Sequence, residues 1–262
     1  MIECIPGLAC LFGEGFESEG GNRMAGQAQS GEPSFAIALE EAGSPDTSRE
    51  QLAALARHEA PEVRAAVASN PRLLTGALTK LAQDSDKRVR AAVAAHEVTS
   101  AAVIEELAFD EDWQVRAAVA SNPAASSYCL GELARDDDVR VKALTAASVG
   151  LTVKDLDRLS KDDDARVRTA VAMNSGASQD ALSRLSADSD WQVRAGIAAN
   201  PAAAMVLLRT LATDEDWRVR ACVASNAATP SEVLSALALD GDEGVSREAR
   251  RSTVHDPDSS VS

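Results

Sequence analysis

The sequence is poor in aromatics, with four Phe, three Trp and one Tyr in 262 residues. A core in a chain of this size usually draws much of its buried area from such rings. Here Ala, Val and Leu must supply it, in thin layers. Cysteine is scarce as well: four residues, irregularly spaced, exclude a disulfide scaffold and fit a reducing cytoplasm. Basic residues are outnumbered, 26 against 41 acids, for a net charge of −15. A general binder of nucleic acid or anionic membrane needs the opposite balance, because Lys and Arg neutralise phosphates. No apolar run approaches the ~20 residues of a membrane-spanning helix. Phosphate-cradling Gly loops, zinc-binding His pairs and serine-nucleophile elbows are also missing.

What the sequence has in abundance is repetition. Leu recurs every 26 residues at 55, 81, 107, 133, 159, 185, 211 and 237. Counting each Leu as offset 0, offset 8 is always Val, from Val63 through Val115 and Val141 to Val245. Offset 9 is Arg64, Arg90, Arg116, Arg168, Arg194 and Arg220, with Lys142 and Ser246 as exceptions. Offset 3 is Asp84, Asp110, Asp136, Asp162, Asp188, Asp214 and Asp240, and offset 5 repeats Asp from Asp86 to Asp242. Offset 23 is apolar in every complete unit, from Leu78 and Ile104 to Leu234.

Each unit reads as two short helices. The first follows the offset-5 Asp, whose carboxylate can accept from the free N–H groups of the first turn. It stops near Asn70-Pro71, Asn122-Pro123 and Asn200-Pro201, since proline breaks the ladder and biases the Asn before it away from helix. The second begins near offset 18 or 19, where Thr229-Pro230-Ser231-Glu232 offers a Thr cap, Pro at the first helical position and Glu three residues past the cap. Helices this short are marginal in water, so stability must come from stacking on neighbours. The fold class expected is an all-α, right-handed solenoid of two-helix repeats.

The ends differ from the middle. Residues 35–54 match the second half of a unit and are expected to form an N-terminal half-repeat cap, with a capping box at Thr47-x-x-Glu50. The solenoid then runs to residue 252. In its last unit Ser246 replaces Arg, and Arg247, Arg250 and Arg251 replace apolar or Ala positions, giving the polar outer face a terminal layer needs. That charge favours a monomer. Residues 253–262 read as a polar tail. Residues 1–34 hold seven of the 15 Gly and read as a low-complexity, mostly disordered leader, with Met24 as a candidate true start. Before residue 55 nine acids face two bases; from 55 onward 32 face 24, so the array itself is only mildly acidic.

The strings Leu107-Ala108-Phe109-Asp110-Glu111-Asp112-Trp113-Gln114-Val115-Arg116 and Leu211-Ala212-Thr213-Asp214-Glu215-Asp216-Trp217-Arg218-Val219-Arg220 resemble the leucine-rich repeat variant family of bacteria, within the broader HEAT-like repeats. The resemblance covers about residues 35–250. It implies an armadillo-type right-handed superhelix, leaves open whether the second helices are α or partly 3₁₀, and implies little about function. Some relatives carry a cysteine-rich iron–sulfur segment ahead of the array. Only Cys4 and Cys10 lie there, and a four-thiolate cluster needs four ligands, so no cofactor is expected.

Three features invite a functional reading. The Arg and Asp series could be a cationic stripe for an anion or nucleic acid, or a structural ladder in which each Arg bridges offset-3 Asp residues of its own and adjacent layers. The paired repetition of both signs favours the ladder. Trp113, Trp191 and Trp217 all occupy offset 6, which varies widely in the other units. They either pack half-buried on the neighbouring loop, the favoured reading, or form a partner-binding edge with Gln114, Gln192 and Arg218. His58-Glu59 and His96-Glu97 resemble the His-Glu pairs of HEAT-like iron hydroxylases but sit at offsets 3 and 15, so no metal site is expected. Cys129 and Cys222 read as small buried apolar residues. The function expected is a non-catalytic cytoplasmic scaffold for a protein or peptide. The alternatives are a HEAT-like repeat enzyme, such as a nucleic-acid base-excision enzyme or a lyase-like pigment chaperone, a nucleic-acid-binding solenoid, and a spacer behind a recruiting leader.

Overall fold

A computed structural model describes residues 32–254; the sequence expectations for the leader up to residue 31, including Cys4, Cys10 and Met24, and for the tail after 254 lie outside it. Among the described residues there are 17 α-helices and no strand. No helix among them is long and apolar enough to cross a membrane. They fall into two compact units that meet in sequence at Gly150 and Leu151. Both are runs of the same two-helix α-solenoid repeat.

In the unit before residue 151, first helices span Pro61–Ala68, Lys87–Ala95, Trp113–Ser121 and Val139–Ala147, each packed on the next. Val115 and Val141 therefore sit in consecutive layers. Second helices span Thr75–Leu81, Ala101–Leu107 and Ser127–Leu133. In the unit after residue 150, first helices Ala165–Met173, Trp191–Ala199, Trp217–Ser225 and the longer Glu243–Val254 stack in order, with second helices Val153–Leu159, Gln179–Leu185, Met205–Leu211 and Ser231–Leu237. The second helices are α over all seven of their residues, not partly 3₁₀.

The core follows from the offsets. Residues at 8 and 12 lie one helical turn apart on one stripe, and Val63, Val67, Val115, Val119, Val193 and Ile197 are completely buried. Ala68, Ala94 and Ala224, one residue further on, are equally buried and keep the layers thin. Leu78, Ile104, Leu156, Leu182 and Leu208 close the core from the second helices. Two first helices approach closely at Gly196, where a Cβ would stand 3.1 Å from the Ala172 Cβ and 3.2 Å from the Met173 Cγ.

The first helices from Lys87–Ala95 to Trp217–Ser225 begin as expected. Asp86, Asp112, Asp138, Asp164, Asp190 and Asp216 are N-caps, each accepting from the backbone N–H two residues on. The second helices depart from expectation. At residue 48, and not at Thr47, a capping box forms: Ser48 and Gln51 bond reciprocally. Likewise Pro230, not Thr229, is the cap residue of its helix. The threonines serve another purpose. Thr47, Thr99 and Thr229 are buried and donate their hydroxyls to the carbonyls of Glu41, Val93 and Val223, six residues back, at the end of the first helix. A helix leaves such carbonyls without intrahelical partners.

The expected half-repeat cap is in fact a helical pair. Glu32–Gly43 packs on Pro61–Ala68 as a first helix, and Arg49–Leu55 follows as a second. The last helix likewise runs past residue 252 to Val254.

A further ladder went unread in the sequence. From residue type alone, the Asn at offset 15 reads as a helix stop reinforced by Pro. In the structure Asn70 donates from Nδ2 to the carbonyls of Ala42 and Ser44 at 2.8 and 2.9 Å. Asn122 reaches Ala94 and His96 in the same way, Asn200 reaches Ala172 and Asn174, and Asn226 reaches Ala198 and Asn200. Each amide thus satisfies the C-terminal carbonyls of the preceding first helix, while its oxygen accepts the N–H two residues on. The signal was available, because Asn174 and Asn226 keep the position with no Pro after them. Asn122→Ala removes two such bonds and leaves buried carbonyls unpaired, so it should cost about 1–3 kcal/mol, read as a lowered urea midpoint at unchanged slope.

Candidate functional site

The offset-9 arginines are ordered by the first helix that carries them, one residue past the buried Val. Each reaches forward to the next layer. Arg64 donates from Nε and Nη2 to both oxygens of Asp84, at 2.6 and 2.7 Å. The same fork joins Arg90 to Asp110, Arg116 to Asp136, Arg168 to Asp188, Arg194 to Asp214 and Arg220 to Asp240. The remaining nitrogen turns back to its own layer, where it meets backbone rather than a carboxylate: Arg116 Nη1 donates to the carbonyls of Asp110 and Glu111. The expected Arg–Asp bridge within one layer is therefore not made. The distance between an Arg and its own Asp is already filled by the loop carbonyls, which the guanidinium caps instead.

Every offset-3 carboxylate also accepts the N–H two residues on, as Asp84 does from Asp86 and Asp162 from Asp164. At Asp84 and Asp240 the guanidinium bond holds the carboxyl below its ordinary value of 3.8. At Asp110 and Asp188 burial is the largest single influence and pulls upward, but the Arg bond and the backbone N–H together outweigh it and the net shift is downward. The ladder arginines move up, chiefly through the same bonds. His58 stands where the first Asp of the series would be and accepts the Ala60 N–H at Nδ1. His96 stands in the Asn ladder, with Nε2 3.0 Å from the Asn70 carbonyl oxygen. Burial pushes the Cys129 and Cys222 thiols up to about 11, which keeps them protonated and poorly nucleophilic.

The edge formed by the first turns of the first helices carries a second set of arginines, at offset 7, whose role the sequence did not suggest. Arg140 Nε and Nη2 bond both oxygens of its own cap residue, Asp138, at 3.0 and 2.6 Å. Arg218 does the same to Asp216 at 2.9 and 2.6 Å. Both guanidinium groups lie flat on a tryptophan of the preceding layer: Arg140 is 3.4 Å above the Trp113 ring and Arg218 3.7 Å above Trp191. Planar, weakly hydrated guanidinium suits this double role. Two of the three expected edge tryptophans are thus half-buried under a cation, and Arg218 belongs to one of the lids. Trp217 is the exception, 49 % exposed. Gln114 is exposed and Gln192 half-buried; each contributes its backbone N–H to a cap, at Asp112 and Asp190.

Around this edge the surface is acidic. Glu59, Glu111, Asp137, Asp163 and Glu215, all at offset 4, are exposed. A shallow, open depression lined by Ser85, Asp86, Lys87, Arg88, Arg90, Glu111 and Asp112 is crossed by the Lys87–Asp112 pair at 2.9 Å. Its lining is charged and self-paired, unlike an enclosed apolar ligand site.

Stacked short hairpins joined by two side-chain ladders define a helical repeat protein of the α-solenoid class. Residues 37–97 match the model of the Leucine Rich Repeat Variant domain, and residues 113–138 that of the Leucine rich repeat variant. Among solved structures, the chain is similar to one described as a leucine-rich repeat variant with a novel repetitive protein structural motif. The two are 27 % identical, the match covers 78 % of this chain and 81 % of that one, and the TM-score is 0.55. The X-ray structure of Escherichia coli YibA shares the fold at 14 % identity, covering 89 % of this chain and all of that one with a TM-score of 0.50. No curated protein matches. The matched segments carry repeats of the leucine-rich repeat variant type.

Arg116→Ala would leave the Asp136 carboxylate and two carbonyls without their donor. It should lower stability by about 2–4 kcal/mol, measured by denaturant unfolding, with Arg116→Lys recovering only part because an ammonium cannot fork. The depressed carboxylates also set a sign. Stability that depends on a lowered folded-state pKa is present above the unfolded value and lost as pH falls through the folded one. The melting temperature should therefore be flat above about pH 5 and decline as pH drops through 3.8, with Asp86, held down to about 2 by its Arg88 bond, protonating late. A melting temperature constant down to pH 2 would contradict this account.

Proposed function

We propose that this chain is a non-catalytic scaffold that holds a protein or peptide partner on the edge made by the first turns of its first helices. The observation that carries the reading is Trp217. Its ring is open where Trp113 and Trp191 are covered, and exposed Trp is enriched among the residues that anchor interfaces. The six ladder arginines are engaged by carboxylates, which supports a protein partner over a nucleic acid, because phosphate contacts need free cations. The exposed acidic row on the same edge favours a basic partner.

The reading extends to setting and assembly. Cys129 and Cys222 are free thiols, in keeping with a reducing cytoplasm. The last helix exposes Arg247, Arg250 and Arg251, a charged layer suited to solvent and to a monomer.

Affinity capture on the tagged chain from its native cell tests the proposal. A protein partner should be retained at low salt, weakened at 0.5 M salt, unaffected by nuclease, and reduced roughly tenfold or more by Trp217→Ala. Retention that depends on nucleic acid, or that Trp217→Ala leaves unchanged, would overturn it.

A further inference from the structure

The repeats provide an internal template for what Trp217 is missing. At two places in the chain the same three-part arrangement is complete: a first-turn Trp, the cap Asp of the following layer, and the Arg two residues after that Asp. Trp113, Asp138 and Arg140 form one copy; Trp191, Asp216 and Arg218 form the other. In each, one guanidinium stacks on the ring and forks onto both carboxylate oxygens. The third copy begins with Trp217 and Asp242, and the register places Gly244 where the arginine belongs.

The consequences of that glycine are visible. Trp217 is 49 % exposed. Asp242 uses Oδ1 to accept the N–H groups of Gly244 and Val245, at 2.8 and 3.1 Å. Among the described residues it makes no ion pair, whereas Asp138 and Asp216 both do. Within 4 Å a Cβ at residue 244 would meet only the Asp242 Oδ1, at 3.1 Å. The nearby arginines turn to other acids. Glu215 is almost fully exposed, 3.8 Å from Arg194, and Glu243 is 3.5 Å from Arg247 on its own helix.

We infer that Trp217 and Asp242 form a recognition site for an arginine side chain presented by the partner. The inference rests on the scaffold reading and names the chemistry of its contact. The incoming guanidinium takes the place that Arg140 and Arg218 fill internally, with its face on the indole and its Nε and Nη edge on the Asp242 carboxylate. Arginine is preferred to lysine because an ammonium cannot present a flat face and a two-pronged edge together. Glycine at 244 is what keeps the site vacant for an outside residue, since any long cationic side chain there would occupy it.

The test uses the full chain and two short probes, acetyl-Gly-Arg-Gly-amide and its lysine twin, with the three indole N–H resonances followed by NMR. The Trp217 resonance should move with the arginine peptide, several-fold less with the lysine twin, while those of Trp113 and Trp191 stay in place. Gly244→Arg should abolish the response and raise the melting temperature, because it completes the third copy. Asp242→Asn, which keeps a good cap residue, should weaken binding roughly tenfold. A silent Trp217, equal movement of all three indoles, equal binding of the lysine twin, or a response that survives Gly244→Arg would each overturn the inference. The two readings fail separately. If the peptide gives no response while partner capture still depends on the edge, only the arginine site falls. If the peptide binds while capture fails, only the scaffold role falls.

Discussion

The guanidinium fork between consecutive layers is the interaction on which the rest depends. Between the two terminal ones of 12 residues, the first helices are eight or nine residues long and the second seven, too short to persist alone. Apolar stacking holds them together, but an Ala- and Val-lined interface is smooth and would tolerate sliding by a turn. The fork removes that freedom. Arg116 cannot reach both Asp136 oxygens and the Asp110 carbonyl unless the layers sit at one height and one rotation. It also neutralises the loop, where an Asp-rich connection would otherwise repel its neighbours.

The Asn ladder complements the fork at the opposite end of each first helix. There the orphan carbonyls face the next layer, and a short amide reaches them. Ser148, in the same series, donates to the Ala120 carbonyl with its hydroxyl, and His96 meets the Asn70 carbonyl with its ring. Different residues thus meet one requirement, a donor at that spot. No buried side-chain nitrogen or oxygen among the described residues lacks a partner, so this polar framework is closed rather than half-satisfied.

Much of the architecture was legible because identity recurs at a fixed interval. The Val, Leu and Asp series named the core and the helix starts, and the structure has them there. What periodicity cannot resolve is which copy a side chain addresses. Arg116 is six residues from Asp110 and 20 from Asp136, and both partners share an offset; only the coordinates show that the carboxylate used belongs to the later one. The same blindness hid the Asn ladder, whose acceptors are carbonyls and leave no trace in residue type. It hid the lids as well, since Arg140 and Trp113 are 27 residues apart and neither belongs to an unbroken series. Thr47 and Thr229 misled for a local reason: a hydroxyl before a helix can cap forward or bond backward, and here the buried backward carbonyls win.

The ladders also give the stack a direction. Each ladder arginine takes its carboxylate, and the Asn-bonded helix ends take their amide donors, from the layer that follows, so that part of the demand points toward the C-terminus. A layer facing the N-terminal side offers aspartate and asparagine, which water solvates readily; one facing the other side offers a helix end in need of donors. In the final repeat Ser246 takes the place of the arginine, and a hydroxyl bonded to the Glu243 carbonyl within its own helix asks nothing of a successor. That replacement leaves the layer without the forward-reaching guanidinium that the six ladder arginines supply elsewhere.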